Sequence, residues 1–148
     1  MSKDKSTESY EVSSELLKRA VEFHGHLGPF LVLGLRMSKT AHRFLKQISR
    51  VKVKTASKPP RSCVIDGIQI VTRCTIGNTK LAVVESPSEI SGEFIGEGEK
   101  VVIRCKNKFL KNLDSSIKSK EKTLEEIALN IKELDDNEIF DIEKTKTT

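Results

Sequence analysis

The segments VKVKT, residues 51–55, and CVIDGIQIVT, residues 63–72, decide the fold class. The first alternates apolar and polar residues, which is typical of a half-buried strand. Apolar residues in the second fit helical spacing, although its last half also fits a strand. We favour a helix because Ser62 is a plausible cap. A strand followed by a helix predicts one crossover unit of a mixed sheet.

The flanking sequence completes this plan. Apolar spacing predicts a helix that begins at Val12 and ends near Gly25, and a second that begins at Pro29. Strands are predicted at 80–85, 90–95 and 100–104, and an amphipathic helix from about Thr123. The predicted fold is therefore α+β, a helix–strand–helix–three-strand core with helices covering a mixed sheet, plus a C-terminal helix.

Three regions are predicted along the chain. Residues 1–11 form a polar, mobile arm, and residues 12–111 form the α+β core. Residues 112–148 hold the C-terminal helix and an acidic tail, which frays after Asp141. No internal repeat is visible, and the length of 148 residues suits one domain.

The composition excludes several classes of protein. The longest uncharged apolar run, residues 30–35, is too short to span a membrane, and the N-terminus has no apolar stretch typical of a signal peptide. Three cysteines without a close pair disfavour a disulfide framework. We therefore expect a cytoplasmic protein with free thiols and no membrane association.

Positive charge is concentrated in one half of the chain. Between Arg36 and Lys80 there are eleven basic side chains and a single acid, Asp66. They form either a solvated face or an electropositive surface for an anionic ligand, a nucleic acid or an acidic partner protein. Phe44 is the only aromatic residue there, which disfavours nucleic-acid binding by base stacking.

Two histidines flank a glycine between the first two predicted helices, at His24 and His26. Gly25 permits a left-handed turn, which would let both imidazoles face one pocket. Gly28 leaves the backbone bare at the start of the next helix, where the helix dipole favours an anion or a thiolate. Alternatively, one histidine caps or packs against a helix.

A second cluster contains Cys63, Asp66 and Cys74. The spacing of the cysteines lacks the CxxC pattern of a zinc knuckle, so by spacing alone they are buried structural thiols. Asp66 is a solvated helix residue, a partner of a lysine, or a group that orients a histidine.

These segments resemble a known family. FHGHLGP (residues 23–29) followed by LGLRM (33–37) is similar to FHGHxCPGxxxGxRM of the E-subunit family of formylmethanofuran dehydrogenase. CVIDGIQ (63–69) and TRCTIG (72–77) are similar to that family's cysteine, Asp-Ala-Ile-Gln and GCTxGK motifs. The resemblance covers about residues 12–111.

The resemblance implies an α+β homodimer with a metal or ligand pocket, in which zinc or another transition metal binds. In methanogens the family is associated with the molybdenum or tungsten enzyme that makes formylmethanofuran from carbon dioxide. It thus implies an archaeal-type accessory protein with oxidoreductase subunits as partners. The implied metal ligands are His24, His26, Cys63 and Cys74, and the implied ligand-binding residues are Gly28, Asp66 and Gln69.

This sequence departs from the family pattern in three places. Gly28 replaces the motif cysteine, which removes a thiolate from a helix N-terminus. Phe30 replaces a small glycine and would narrow or close the pocket. Paired CxxC motifs, which form a C-terminal zinc ribbon in many members, do not occur in this chain.

Three functional hypotheses follow. The first is an accessory protein with an altered metal or small-ligand pocket and uncertain catalysis of its own. The alternative is a non-catalytic interaction module that docks an acidic partner through its basic face. The third is a small enzyme that acts on an anionic substrate with a histidine as general base.

Overall fold

The alternation in residues 51–55 forms a strand inside a five-stranded sheet. β1 (Arg50–Thr55) buries every second side chain. The computed structural model describes residues 10–146, and its other strands are β2 (Leu81–Glu85), β3 (Ser91–Ile95), β4 (Glu99–Cys105) and β5 (Phe140–Lys146). Their order is β2-β1-β3-β4-β5. β1 and β2 are parallel and the other neighbours antiparallel, so the predicted mixed sheet and α+β class are confirmed.

Six α-helices accompany the sheet in the described residues: α1 (Ser14–His24), α2 (Pro29–Phe44), α3 (Val64–Thr72), α4 (Asn107–Ser119), α5 (Leu124–Glu133) and α6 (Asp136–Ile139). The helical interpretation of residues 63–72 is confirmed, but Ser62 does not cap α3. A 3₁₀ turn at Arg61–Cys63 leads into that helix, and its N-cap position has no side-chain hydrogen bond. Within residues 10–146, no helix has the length and apolar character needed to cross a bilayer.

α2 is the central helix, and it packs tightly against α3. Its first half is buried, and Phe30 belongs to the main core. Gly34 and Gly67 allow the two backbones to approach. A side-chain carbon at Gly34 would overlap the Val64 carbonyl oxygen, and one at Gly67 would overlap the Leu31 carbonyl oxygen. The close packing of α3 against α2 therefore requires glycine at both positions.

The C-terminal region corrects the prediction. The expected frayed tail after Asp141 is wrong for residues 142–146, because they lie in β5, which pairs along the whole length of β4. The sequence plan also omitted α4 and α6. β5 is an edge strand whose residues after Phe140 are mostly exposed, so it shows little of the apolar alternation that marks an internal strand. Residues 1–9 of the predicted arm lie outside the described residues.

A buried arginine joins the C-terminal region to α2. Arg36 Nη1 donates to the Ile131 carbonyl oxygen at 2.7 Å, at the end of α5. Arg36 Nη2 donates to Asp136 Oδ1 at 2.8 Å, and the Thr40 hydroxyl donates to the same oxygen at 3.0 Å. These bonds satisfy carbonyls that the helix end leaves unpaired and fix the start of α6.

Candidate functional site

The junction of α1 and α2 brings the two histidines together. α1 ends at His24, and Gly25 follows with φ of 108°, a left-handed conformation that favours glycine. Gly28 is the N-cap residue of α2 and offers no side-chain hydrogen bond. The chain therefore reverses here and presents His24 and His26 beside the positive end of the helix dipole of α2.

Asp66 orients the His24 imidazole. His24 Nδ1 lies 2.6 Å from Asp66 Oδ2, across 42 residues of sequence. Because a carboxylate accepts hydrogen bonds, this contact places a proton on Nδ1, so in the neutral ring the lone pair is on Nε2. His24 Nε2 is buried and has no hydrogen-bond partner among the described residues. Of the three roles considered for Asp66, the structure favours orienting a histidine.

His26 packs against His24 and over Gly28. The ring centroids of the two histidines lie 4.7 Å apart, with 37° between the ring planes. A side-chain carbon at Gly28 would lie 3.1 Å from His26 Nε2. A residue with a side chain at this position would therefore touch the His26 imidazole, and Gly28 itself is buried at the start of α2.

The two predicted cysteine ligands lie at opposite ends of α3. A nine-residue helix is about 13 Å long, whereas two thiolates on one zinc lie within about 4 Å of each other. Cys74 is buried, and its Sγ contacts the Ile48 carbonyl oxygen at 3.8 Å. Burial, and then the Asp66 charge, raise the pKa of the Cys63 thiol, which favours the protonated form at neutral pH.

Only some of the predicted metal ligands lie near one another. The structure brings His24 and His26 together but does not bring Cys74 to them, and Gly28 offers no donor atom. Between residues 10 and 146, no three His, Cys, Asp or Glu side chains are grouped so that they could hold a metal ion. The donors present therefore do not fit a closed, four-ligand zinc site.

Gln69, one of the residues predicted to bind ligand, contacts the loop after Cys74. Its Oε1 accepts the Ile76 backbone N–H at 3.0 Å. Asn78 Oδ1 accepts the Thr75 N–H at 3.0 Å, and the Thr75 hydroxyl accepts the Asn78 N–H at 3.0 Å. Asp66 and Gln69 lie three residues apart on α3, so this helix holds both His24 and the loop after Cys74.

The comparison with protein families agrees with the resemblance. The family described as "FmdE, Molybdenum formylmethanofuran dehydrogenase operon" matches residues 23–143. The chain belongs to the FmdE family. The match begins at Phe23, the first residue of the FHGH motif, and continues into β5. FmdE membership thus covers both the histidine junction and the C-terminal region that the sequence plan treated separately.

This FmdE chain is similar to one curated protein in sequence and to one solved structure in fold. A probable S-adenosyl-L-methionine-binding protein of Archaeoglobus fulgidus is 41% identical over 73 residues, which are 46% of this chain and 20% of that protein. The chain thus spans about one fifth of that relative. The crystal structure of an FmdE-like protein of the tungsten formylmethanofuran dehydrogenase type, from Syntrophus aciditrophicus, matches with a TM-score of 0.62 and 22% identity, over 90% of this chain and 72% of that one. This match supports the fold.

Proposed function

We propose that the His24–Asp66 pair is the core of a binding site for a small acid. The observation that carries this proposal is His24 Nε2, which is buried and has no hydrogen-bond partner within residues 10–146, on a ring whose Nδ1 contacts Asp66. The anion of the acid would lie at the start of α2 once the His26 ring has moved aside, because backbone N–H groups and the helix dipole favour negative charge there. The proton of the acid would lie on His24 Nε2, with the Asp66 carboxylate stabilising the resulting imidazolium.

His26 would control access to this site. His26 is exposed and packs against the buried His24 ring. Rotation of the exposed ring would open Nε2 to a ligand without a change in the backbone, since side-chain rotation is fast on the scale of binding. This arrangement suits a small ligand better than a closed metal site, because two imidazoles alone leave a metal with two open positions.

We propose that the protein works as a homodimeric accessory protein of an oxidoreductase. The family description, which names a formylmethanofuran dehydrogenase operon, supports this role. Co-elution of the protein with dehydrogenase subunits at equal stoichiometry, and dimeric mass by light scattering, would support it. A monomer that passes through an immobilised dehydrogenase would contradict both parts.

S-adenosyl-L-methionine is a second candidate ligand, because the Archaeoglobus fulgidus relative is 41% identical over its matched segment. This molecule carries a carboxylate that suits the same helix start. We expect calorimetry to show tighter binding than for formate, the smallest carboxylate. Equal or absent binding would remove this candidate but leave the small-acid site intact.

The small-acid site is tested with formate. Calorimetry in two buffers of different ionisation enthalpy should show the uptake of about one proton per formate bound. Asp66→Asn should weaken formate binding about tenfold, the loss expected for one charge-assisted hydrogen bond. Asp114→Asn is the matched control, since Asp114 pairs with Arg61 elsewhere on the surface. Equal affinity of the Asp66→Asn protein and the wild type would contradict the proposal.

A further inference from the structure

The basic half of the sequence does not form one face. Arg36 is buried and Arg61 pairs with Asp114. The three basic residues of β1 alternate with buried ones and lie on the outer face of the sheet. A basic surface formed by this half of the chain would therefore not include Arg36.

Four basic side chains gather at the C-terminal end of α2 around a cavity of about 460 Å³. Lys39, His42 and Arg43 lie three and four residues apart on one face of the helix. Lys46 lies just after the end of the helix, and Tyr10 also lines the cavity. The described residues that line this cavity include no carboxylate.

Burial and neighbouring charges oppose positive charge in this cavity. Burial, and then the Arg19 charge from α1, lower the pKa of Lys39. Burial is also the main reason that the pKa of His42 is lowered, and the Lys39 charge adds to it, whereas a hydrogen bond to the Leu45 backbone acts in the opposite direction. A bound anion would favour the protonated form of His42.

Two other groups face the cluster. Arg43 lies 5.5 Å from the centre of the Tyr10 ring. The Asp136 carboxylate, from the start of α6, lies 3.6 Å from Arg43 Nε, but it also accepts from Arg36 at 2.8 Å. Because a guanidinium has five N–H donors, one carboxylate shared with Arg36 leaves Arg43 with donors for an anionic ligand.

We infer that this cavity binds the phosphate group of a small phosphorylated molecule. A phosphate offers several acceptor oxygens, which match the guanidinium of Arg43, the ammonium of Lys46 and the imidazole of His42. Basic residues near a helix C-terminus also stabilise the helix dipole, but that role requires neither a cavity nor a cluster of like charges. The inference is independent of the small-acid site at the other end of α2.

Pyrophosphate is the test probe, followed through the NMR signals of the His42 ring. The signals should shift saturably, and Arg43→Gln and Lys46→Gln should each weaken binding about tenfold, as expected for one charge-assisted hydrogen bond. Lys58→Gln, which removes an exposed charge from a loop, should leave the affinity unchanged. Formate binding should survive Lys46→Gln, which separates a failure here from a failure of the small-acid site.

The pH dependence adds a second readout. Sulfate keeps the same charge between pH 5 and 8, so its affinity reports on the protein alone. We expect sulfate to bind more tightly as the pH falls and His42 takes up a proton, and this gain should disappear in His42→Gln.

Three outcomes would overturn the inference. The first is the lack of a saturable His42 shift with pyrophosphate. The second is equal weakening by Lys58→Gln and Lys46→Gln, which would indicate unspecific attraction to net charge. The third is sedimentation with phosphatidic acid vesicles in the absence of pyrophosphate binding, which would point to a lipid surface as the source of the phosphate.

Discussion

Two histidines lie near opposite ends of α2, His24 at the end of α1 and His42 in the last turn of α2, and their surroundings differ. At the N-terminal end, His24 lies 2.6 Å from the Asp66 carboxylate, beside the positive end of the helix dipole. At the C-terminal end, His42 lines a cavity with Lys39, Arg43 and Lys46. A carboxylate partner fixes the tautomer of one ring, whereas burial and cationic neighbours keep the other ring neutral. The imidazole at the end of α1 and the imidazole near the end of α2 thus suit different chemistry, because their neighbouring residues differ.

The largest expected effect comes from the middle of α2. Gly34→Ala places a carbon against the Val64 carbonyl oxygen and forces α3 away from α2. We expect a loss of about 2–3 kcal/mol in the free energy of unfolding, the usual cost of overpacking. Because Asp66 lies on α3, formate binding should weaken as well, while pyrophosphate binding at the other end should remain. Denaturant titration and calorimetry measure these effects.

Gly77→Ala is the matched control for this substitution. A carbon at Gly77 would meet its nearest neighbour, Thr75 Oγ1, at 3.8 Å, which is ordinary contact. We expect little change in stability. If both glycine variants unfold at the same denaturant concentration as the wild type, the close approach of α2 and α3 does not limit stability, and the two ends of α2 are less rigidly linked than we argue.

Asp136→Ala should change stability and binding in opposite directions. The substitution removes the charged partner of the buried Arg36, and we expect a loss of about 2 kcal/mol, less than for a fully buried pair. It also removes the carboxylate near Arg43, so pyrophosphate should bind several-fold more tightly. Formate binding at the N-terminal end should not change.

Glu133→Ala provides the comparison for Asp136→Ala, because Glu133 pairs with Lys132 on the exposed surface. Such pairs contribute at most about 1 kcal/mol. If Asp136→Ala weakened pyrophosphate binding, the carboxylate would be part of the phosphate site rather than a competitor for Arg43.

Gly28→Cys should sharpen the difference between the two ends by adding a metal ligand at one of them. A thiol at this position would lie beside His26 Nε2 at the start of a helix, where thiolates are stabilised. We expect elemental analysis of protein purified without chelator to show more zinc in Gly28→Cys than in the wild type. Gly28→Ser should show no increase. Equal, near-stoichiometric zinc in wild type and Gly28→Cys would instead favour a metal site made by the residues already present.

The smallest expected effect is the pH dependence that His42 gives to stability. Its pKa is lowered from the usual 6.5 in the folded state, so the unfolded chain binds this proton more readily. The stability from His42 is therefore present above pH 6.5 and is lost as the pH falls through its lowered pKa. Denaturation at pH 7.5 and pH 5 should show a smaller loss for His42→Gln than for wild type. Saturating sulfate should reduce the loss in the wild type only.

Much of the fold could be predicted from the sequence. Apolar spacing, Gly25 and Pro29 indicated the α1–α2 junction, and alternation indicated β1. α4 also had a signal, because Phe109, Leu110, Leu113 and Ile117 follow helical spacing. β5 had almost none, since an edge strand buries few side chains and is defined by pairing with β4.

The sequence by itself determined the family, the α+β class and the short segment that contains both histidines, because local spacing and turn residues encode these features. Only the tertiary structure decided which partners the histidines have. Asp66 reaches His24 across 42 residues because Gly34 and Gly67 let α3 lie close to α2. By contrast, the length of α3 separates Cys63 from Cys74, and Lys46 follows His42 by four residues at the end of α2. These two distances follow from local structure, whereas the contact of Asp66 with His24 depends on how the helices pack.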